Sequence, residues 1–521
     1  MLARVHSAAV IGIDAVPVDV EVDVGAGIPM CAIVGLPDPA VREARERVRT
    51  AIRNAGYEMP ARRVTVNLAP ADLRKVGPAF DLPMALGILT ATRQIPPQAL
   101  AGCIVIGELS LDGGVRPVAG VLNIALAARA RRARAVLVPA ANAEEAAVVT
   151  GLRVHPVTSL ASLVAALIRE GSLPLQPPTG APGAPAAAGP TDDEADLGDV
   201  RGHAHARRAL ELAAAGGHNL LLIGPPGTGK TMLARRLPTI LPPLSAEEAI
   251  EVTRIYSAAG RLPASSPLIT ARPFRAPHHT TSAHALVGGG TPPAAGEVSL
   301  AHLGVLFLDE VAEFHHDAVE ALRQPLEDGR VVIVRVGGTV MFPARCMLVA
   351  AMNPCPCGHL GDARRVCTCT PPQRARYRAR VSGPLLDRID LHVEMPPVSA
   401  DELTAPAPAE RSADVRARVT RARALQAERG RALGIVAPVN ATMPAALART
   451  CCALGPAPRA LLRQAFDRLG LSPRAYHRLA RVARTIADLE GAPSIDVRHV
   501  AEAIGYRALD RVREPDGLAQ V

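Results

Sequence analysis

Alternating apolar and polar residues predict several β-strands in the first third of the chain. Examples are VPVDVEVDV at 16–24, RRVTVNLAP at 62–70 and CIVIGELSL at 103–111, in which every second residue can face a core. Apolar residues spaced three or four apart predict helices in AVREARERVRTAIRNAG at 40–56 and VLNIALAARARRA at 121–133. This mixture predicts an N-terminal domain of the α/β or α+β class.

The pattern breaks at PLQPPTGAPGAPAAAGP, residues 174–190, which consists almost entirely of Pro, Ala and Gly and cannot form a core. Beyond the break, helical patterns lie at 414–430 and 474–490. A chain of 521 residues is too long for a single core, so an α/β multidomain protein is expected. The predicted division is an N-terminal domain at 1–172, a linker at 173–196, an α/β core at 197–403 and a small helical domain at 404–521.

The composition indicates a globular protein with an aliphatic core. Hydrophobic residues make up 49% of the chain, but aromatic residues make up only 2%. The net charge of +9 and the pI of about 9.4 would permit binding to a polyanion such as nucleic acid. An Arg-rich composition alone would also produce this charge.

The sequence also bears on the location of the protein. It has no run of apolar residues long enough to predict a membrane span, and acidic residues interrupt the apolar N-terminus, which argues against a signal peptide. The nine cysteines are odd in number and clustered, unlike the disulfide framework of a secreted protein. We therefore expect a cytoplasmic protein without a membrane partner.

A nucleotide site is predicted at LLLIGPPGTGKT, residues 220–231, where a Gly-rich loop joins an apolar strand to a helix. The loop fits the pattern G-x-x-x-x-G-K-S/T, in which backbone N–H groups and the helix N-terminus bind phosphates. Lys230 would reach the β- and γ-phosphates of ATP, and Thr231 would hold Mg²⁺. The predicted cofactors are thus ATP and Mg²⁺, and the predicted binding residues are Gly224, Pro225, Pro226, Gly227, Thr228, Gly229, Lys230 and Thr231.

Two further apolar strands lead into polar residues. GVLFLDE ends in Asp309 and Glu310, a Walker B pattern in which Asp309 would belong to the Mg²⁺ shell and Glu310 would polarise the attacking water. CMLVAAMNP leads into Asn353, which could position that water near the γ-phosphate. Together with the Gly-rich loop, these residues predict ATP hydrolysis.

Four cysteines follow Asn353 as C-x-C, nine residues and C-x-C, namely Cys355, Cys357, Cys367 and Cys369. Four thiols on a short loop suit a tetrahedral, structural Zn²⁺ site, although C-x-C is tighter than the usual C-x₂-C. Reduced or redox-active thiols and an iron–sulfur cluster are the alternatives. Arg364 and Arg365 at the tip of this loop could contact a DNA backbone.

The stretch RAPHHTTSAHALVGGG contains His278, His279 and His284. Neighbouring histidines could bind a metal ion. The interpretation we favour is a loop that contacts DNA or a neighbouring subunit, because the three glycines that end the stretch would let such a loop move.

Several long motifs occur in order along the chain, namely PFRAPHHTTSAHALVGGG, GEVSLAHLGVLFLDEVAEF, ALRQPLEDGRV, AAMNPCPCG and SGPLLDRIDLHV. In these motifs the chain resembles the YifB/ComM family of magnesium-chelatase-like AAA+ ATPases, and the resemblance covers nearly everything except the linker. It implies an AAA+ P-loop core in which Asn353 takes the sensor-1 place and Arg388 is the arginine at the subunit interface. It also implies a C-terminal helical lid that carries Arg474 as the sensor-2 arginine.

The resemblance further implies a function. A homohexameric ring is expected, in which Arg388 acts on the ATP of the neighbouring subunit. For ComM-type members the resemblance implies a DNA helicase that promotes branch migration during homologous recombination and natural transformation. Single-stranded or branched DNA and recombination proteins would be its partners. A chelatase-like ATPase that remodels a partner protein is the alternative.

The N-terminal domain is similar to the Lon protease domain, an α+β fold shared with a ribosomal protein. In Lon-like proteases the motif KDGPSAG carries the nucleophilic Ser, and the catalytic Lys follows a later GG. Here KVGPAFD has Ala79 in the place of the Ser, and RPVAGVLNIALAA has Leu122 in the place of the Lys. Neither side chain can act as a nucleophile or a base, so no protease activity is expected.

Lys75 stands out because Lys230 is the only other lysine in the chain. The Lon resemblance assigns Lys75 to the scaffold rather than to the missing catalytic pair. Its ammonium group could bond loop carbonyls or a carboxylate such as Asp81, or it could contact a DNA phosphate. An accident of codon usage is the third interpretation.

Overall fold

The structure is a computed structural model, and it describes residues 2–170, 195–263, 266–335, 338–362, 365–398, 402, 410–434, 439–507 and 509. Arg364 and all but the last two residues of the predicted linker lie outside this described part. Within the described residues, no helix is both long enough and apolar enough to cross a membrane.

The N-terminal part of the chain combines a mixed sheet with packed helices. The strands are β1 (Leu2–Ile11), β2 (Asp14–Gly25), β3 (Met30–Val34), β4 (Arg63–Ala69), β5 (Cys103–Val105), β6 (Glu108–Leu109), β7 (Val115–Arg116), β8 (Ala135–Pro139) and β9 (Val154–Val157). The helices are α1 (Pro39–Asn54), α2 (Asp81–Ala91), α3 (Val121–Ala130), α4 (Ala143–Ala147) and α5 (Leu160–Glu170). The seven-stranded sheet has the order β3-β4-β2-β1-β5-β8-β9, with β1–β2 and β2–β4 antiparallel and the other pairs parallel, while β6 and β7 form a separate hairpin.

The alternation seen in the sequence determines which face of β2 is buried. Val18, Val20 and Val22 have no exposed surface, and they pack with α2, a helix that is buried along its whole length. The strands predicted at 16–24 and 62–70 are confirmed as β2 and β4. The strand predicted at 103–111 is divided into β5 and β6. Between them, the N–H of Gly107 donates to the carbonyl of Ala79 at 2.9 Å instead of to a neighbouring strand.

Lys75 is a buried structural charge. Its side chain has no exposed surface, and its ammonium group donates to the carbonyl of Pro70. Burial lowers the pKa of Lys75, while Asp72 opposes that shift. Asp81 is instead paired with Arg47, whose guanidinium donates to it at 2.8 and 3.1 Å. A side chain without exposed surface cannot contact a DNA phosphate in this conformation, so the bond to a loop carbonyl is the interpretation that fits.

The central part of the chain contains a second sheet and two separate hairpins. Its strands are β10 (Leu220–Ile223), β11 (Phe274–Arg275), β12 (Gly288–Gly289), β13 (Ala294–Ala295), β14 (Val305–Leu308), β15 (Arg330–Arg335), β16 (Gly338–Pro343), β17 (Met347–Met352) and β18 (Leu391–Glu394). Its helices are α6 (Ala204–Gly216), α7 (Lys230–Arg235), α8 (Leu237–Ile240), α9 (Ala246–Ala258), α10 (Ala283–Val287), α11 (Glu297–Leu300), α12 (His316–Glu320), α13 (Arg323–Asp328), α14 (Pro371–Arg378) and α15 (Gly383–Leu386). The five-stranded sheet has the order β11-β14-β17-β10-β18, and β12–β13 and β15–β16 form two hairpins.

All neighbours in the five-stranded sheet are parallel. Every residue of β10, β14 and β17 is buried, as expected for strands that are covered on both faces. Leu220 in β10 pairs with Val349 in β17 and with Leu391 in β18. This register places the carboxyl ends of β10, β14 and β17 at one edge of the sheet. The predicted α/β class with a parallel core is confirmed.

The C-terminal part of the chain is helical. Its helices are α16 (Ser412–Ala432), α17 (Ala445–Cys451), α18 (Pro456–Leu469), α19 (Pro473–Leu489) and α20 (Val497–Gly505). Helices α16 and α19 confirm those predicted at 414–430 and 474–490. The buried carboxylate of Asp488 in α19 joins them, because it pairs with Arg429 of α16. Within α19, Asp488 also pairs with Arg484, one turn earlier.

The N-terminal part meets the central part at α9. The buried carboxylate of Glu145 accepts hydrogen bonds from the Leu122 N–H and the Asn142 amide, both at 2.9 Å, and from the Ser257 hydroxyl on α9. The N–H of Gly120 donates to the carbonyl of Ser257 at 2.9 Å. A buried carboxylate with this many partners is satisfied, and it holds α9 against α3 and α4.

Candidate active site

The P-loop connects β10 to α7 at the carboxyl edge of the parallel sheet. Lys230 begins α7, and its buried Nζ donates to the carbonyls of Gly224 at 2.6 Å and Pro225 at 2.9 Å. Gly224 is required by close packing, since a Cβ there would lie 2.3 Å from the carbonyl oxygen of Met395. The loop therefore wraps around the ammonium group, and the turn between these residues is completed by Pro226, Gly227, Thr228 and Gly229.

Thr231 and Asp309 lie side by side. The Thr231 hydroxyl donates to Asp309 Oδ2 at 2.7 Å, so two oxygen ligands of the kind that Mg²⁺ prefers meet at one point. Glu310 follows directly, is exposed, and has a left-handed backbone with φ of 52°. Non-glycine residues adopt this conformation rarely, and such residues cluster at functional sites.

Asn353 completes the group at the end of β17. Lys230 Nζ donates to Asn353 Oδ1 at 3.3 Å. Burial lowers the pKa of Lys230, whereas the charges of Asp309 and Glu310 raise it and so favour the ammonium form. The structure thus brings Lys230, Thr231, Asp309 and Asn353 together. These residues fit Mg²⁺ and ATP, because they supply a cation for phosphates, oxygen ligands for the metal and an amide that can orient a water molecule.

The two predicted arginines share one carboxylate. Glu327 on α13 pairs with Arg388 and, at 3.4 Å, with Arg474 in the first turn of α19. Arg388 is buried and also donates to the carbonyl of Pro384 at 2.8 Å, while Arg474 and Glu327 are exposed. The structure therefore gathers Arg388, Arg474 and Glu327 into a second group, which we call the arginine cluster.

The arginine cluster lies toward the other edge of the sheet. The carbonyl of Arg388 accepts from the Asn219 side chain at 2.9 Å. Asn219 directly precedes β10, whereas the P-loop directly follows it. The four residues of β10 separate these two edges by about 13 Å. Within the described residues, the side-chain hydrogen bonds of Arg388 and Arg474 go to Pro384 and Glu327 rather than to the P-loop.

The four predicted cysteines converge. Their Sγ atoms all lie within 4.8 Å of one another. Cys355 and Cys357 are separated by 3.4 Å, and each lies 3.6 Å from Cys367, which is too far for the S–S bond of about 2.05 Å in a disulfide. The N–H of His359 lowers the pKa of Cys357 to about 5, which favours the thiolate form of this side chain. A thiolate in a group of four thiols suits Zn²⁺.

The predicted histidine loop shows no comparable arrangement. The rings of His278 and His279 lie 4.0 Å apart, and His278 Nδ1 bonds the Thr280 hydroxyl at 2.9 Å. His284 is exposed. Across the described part of the chain, the four cysteines are the one group of at least three His, Cys, Asp or Glu residues that could hold a metal ion. Arg365 is exposed at the tip of the cysteine loop.

Two residues of the site were missed in the sequence. Glu327 lies in the motif ALRQPLEDGRV, but its arginine partners are 61 and 147 residues away. Gly358 lies in the cysteine loop and packs against Pro226 of the P-loop, since a Cβ on Gly358 would lie 2.8 Å from that ring. For Glu327, the motif ALRQPLEDGRV was the signal in the sequence that could have identified it. The spacing of the cysteines gives no sign that Gly358 contacts the P-loop.

Comparisons with known proteins agree over the whole chain. The family described as "Magnesium chelatase, subunit ChlI" matches residues 196–403, "Subunit ChlI of Mg-chelatase" matches 20–142, and "Magnesium chelatase, subunit ChlI C-terminal" matches 409–507. Uncharacterized protein YifB of Salmonella typhimurium is 45% identical over 98% of both chains. Competence protein ComM of Haemophilus influenzae is 44% identical over 98% of both chains. An uncharacterized protein of Mycobacterium tuberculosis is 46% identical over 97% of this chain and 98% of its own.

Removing the ammonium group from the P-loop tests the nucleotide site. We expect Lys230→Ala to lower steady-state ATP turnover by about 100-fold or more, because Lys230 supplies the ammonium group that would neutralise the phosphates. Arg235→Ala, which removes an exposed cation from the same helix, should leave turnover unchanged. Glu310→Gln should bind ATP but fail to hydrolyse it, so radiolabelled ATP should stay on the protein. Phosphate release at the wild-type rate from Lys230→Ala or Glu310→Gln would contradict the assignment.

The shared carboxylate of the arginine cluster can be tested separately. We expect Glu327→Gln to lower turnover by about fivefold to tenfold, the size of one weakened charge-assisted contact, with little change in the affinity for ATP. The neighbouring exposed Asp328 bonds only Gln324, at 3.2 Å, among the described residues, so Asp328→Asn is the matched control. Equal turnover numbers for the two variants would show that Glu327 does not position the arginines.

Proposed function

The chain belongs to the YifB/ComM family of magnesium-chelatase-like AAA+ ATPases, and we propose that it is an ATP-driven hexameric motor that acts on DNA. Its activity would be that of a helicase that promotes branch migration during homologous recombination or natural transformation. The name of the Haemophilus relative, a competence protein, supports a role linked to DNA uptake. ATP and Mg²⁺ are the cofactors of this proposal.

The separation between the P-loop and the arginine cluster is the observation that supports a ring. Lys230, Asp309 and Asn353 assemble at one edge of the sheet, and Arg388 lies toward the other. A head-to-tail contact between copies would place the arginine cluster of one subunit against the nucleotide of the next. Contacts of this kind close into rings when the rotation between subunits allows it. Arg388 and Arg474 would then stabilise the charge that develops during phosphoryl transfer.

Charge supports DNA as the substrate. The net charge of +9 attracts a polyanion, and the exposed Arg365 and His278 project donors from two separate loops. Arg365 lies in the cysteine loop that begins just after Asn353, so DNA bound there would be close to the sensor strand. Single-stranded or branched DNA is the proposed ligand, and recombination proteins are the proposed partners.

We also propose the finer architecture. The N-terminal unit at 1–172 would be a degenerate Lon-like domain, followed by the linker at 173–196, the AAA+ core at 197–403 and a helical lid at 404–521. Leu122 is fully buried in α3, so the place of the Lon lysine holds a core residue. This unit would position the core through the bonds of Glu145 to α9 rather than cleave peptides.

A chelatase-like ATPase that remodels a protein partner is the second candidate. The observation in its favour is that all three matched family descriptions name the ChlI subunit of magnesium chelatase. Such an enzyme would hydrolyse ATP with the same residues, so the two proposals differ in the ligand that stimulates turnover.

DNA-stimulated hydrolysis distinguishes the two candidates. The rate of phosphate release by the purified full-length protein should rise several-fold with single-stranded or branched DNA, and the effect should weaken as salt increases. Lys230→Ala should stay at background with every DNA. Turnover that is the same with and without each DNA would contradict the DNA motor and would favour the protein-remodelling candidate.

A further inference from the structure

The cysteine loop follows Asn353 along the chain and contacts the P-loop at Gly358. At its start, Cys355 is buried two residues after Asn353, whose side chain accepts from Lys230. Further along, Gly358 packs against the ring of Pro226, and a Cβ on Gly358 would lie 2.8 and 2.9 Å from Pro226 Cδ and Cγ. The cysteine loop therefore packs against the P-loop at this point.

The positions of the sulfur atoms favour a single metal ion. The separations of 3.4 to 3.6 Å among Cys355, Cys357 and Cys367 are close to the edge of about 3.8 Å that a tetrahedron with Zn–S bonds of about 2.3 Å would have. The N–H of Cys357 also lies 3.4 Å from the Cys369 sulfur, which draws the second C-x-C pair against the first. A soft divalent cation matches such a set of thiolate ligands.

Without a cation, little holds the four sulfur atoms together. They lie within 4.8 Å of one another, but thiols form only weak hydrogen bonds, which would not fix the loop. The contact between Gly358 and Pro226 depends on the path of this loop. The conformation of the P-loop is thereby linked to whatever holds the sulfur atoms together.

We propose that Zn²⁺ bound by Cys355, Cys357, Cys367 and Cys369 holds Gly358 against Pro226 and so keeps the P-loop in the conformation that binds ATP. The metal acts on the path of the loop and takes no part in hydrolysis. The inference rests on the proposed function only in that the P-loop must bind ATP. Metal occupancy then determines nucleotide affinity.

Metal content and nucleotide affinity should change together. The full-length protein is expected to contain one zinc per chain by elemental analysis and to bind the fluorescent analogue mant-ATP. Cys367→Ser should lose the zinc and raise the Kd for mant-ATP by about tenfold, the size of one lost packing contact. Cys451→Ser, at a half-buried cysteine in α17 far along the chain, should retain both properties.

A second variant separates the metal from the contact. Gly358→Ala leaves all four thiols in place, but its methyl group would meet the Pro226 ring, and its backbone φ of 82° disfavours alanine. This variant should keep its zinc and still bind mant-ATP more weakly. Removal of zinc from the wild-type protein by a chelator should have the same effect, and addition of Zn²⁺ should restore affinity, which excludes global unfolding as the cause.

The outcomes are distinguishable. A wild-type protein that binds mant-ATP but contains no zinc would overturn the inference. So would a zinc-free Cys367→Ser or a Gly358→Ala protein with the wild-type Kd. A wild-type protein that carries zinc and fails to bind mant-ATP would instead overturn the proposed function, and the link between the two sites with it.

Discussion

The parallel pairing of β14 with β17, and of β10 with β17 and β18, is the constraint on which the site depends. Parallel strands end at the same edge of a sheet. This arrangement alone brings together the P-loop after β10, Asp309 after β14 and Asn353 after β17. The same register sends the segment before β18 to the opposite edge, where the carbonyl of Arg388 is bonded to Asn219. The residues of β10, β14 and β17 are all apolar and buried. A shift of one position in the pairing of β10 would change which residues it packs against and would displace the P-loop from Asp309 and Asn353.

Two sets of contacts support this sheet from outside. Glu145 ties the N-terminal unit to α9 through the Ser257 hydroxyl, and Asp488 of α19 ties that helix to α16 through Arg429. Both are buried carboxylates with several donors, and an unpaired charge at either place would be costly. The helix that carries Arg474 is therefore held by interactions independent of nucleotide. The cysteine loop is a third support, placed against the P-loop itself through Gly358 and Pro226.

Local patterns in the sequence predicted the local parts of this structure. The P-loop, β14, β17 and the helices at 414–430 and 474–490 are each recognisable from consecutive residues, and the convergence of Lys230, Asp309 and Asn353 follows from parallel strands. The C-x-C pairs likewise predicted a group of four thiols. The missed features join distant residues. The pairing of Glu327 with Arg388 and Arg474, the bond of Glu145 to Ser257 and the contact of Gly358 with Pro226 depend on how whole segments pack. The sequence left three interpretations of Lys75 open. Burial of its side chain decides among them, and burial cannot be read from a single lysine in a sequence.

The most direct test of this account is the ATPase activity of mixed variants. Lys230→Ala lacks a working P-loop but keeps its arginines, and Arg388→Ala keeps its P-loop but lacks the arginine proposed to act on the neighbouring subunit. The account predicts that each variant alone is nearly inactive and that mixing them, under conditions that exchange subunits, restores turnover because some interfaces pair an intact P-loop with an intact Arg388. Turnover of the mixture equal to the sum of the separate variants, with subunit exchange verified, would contradict the claim that the two edges of the sheet build one site between two copies of the chain.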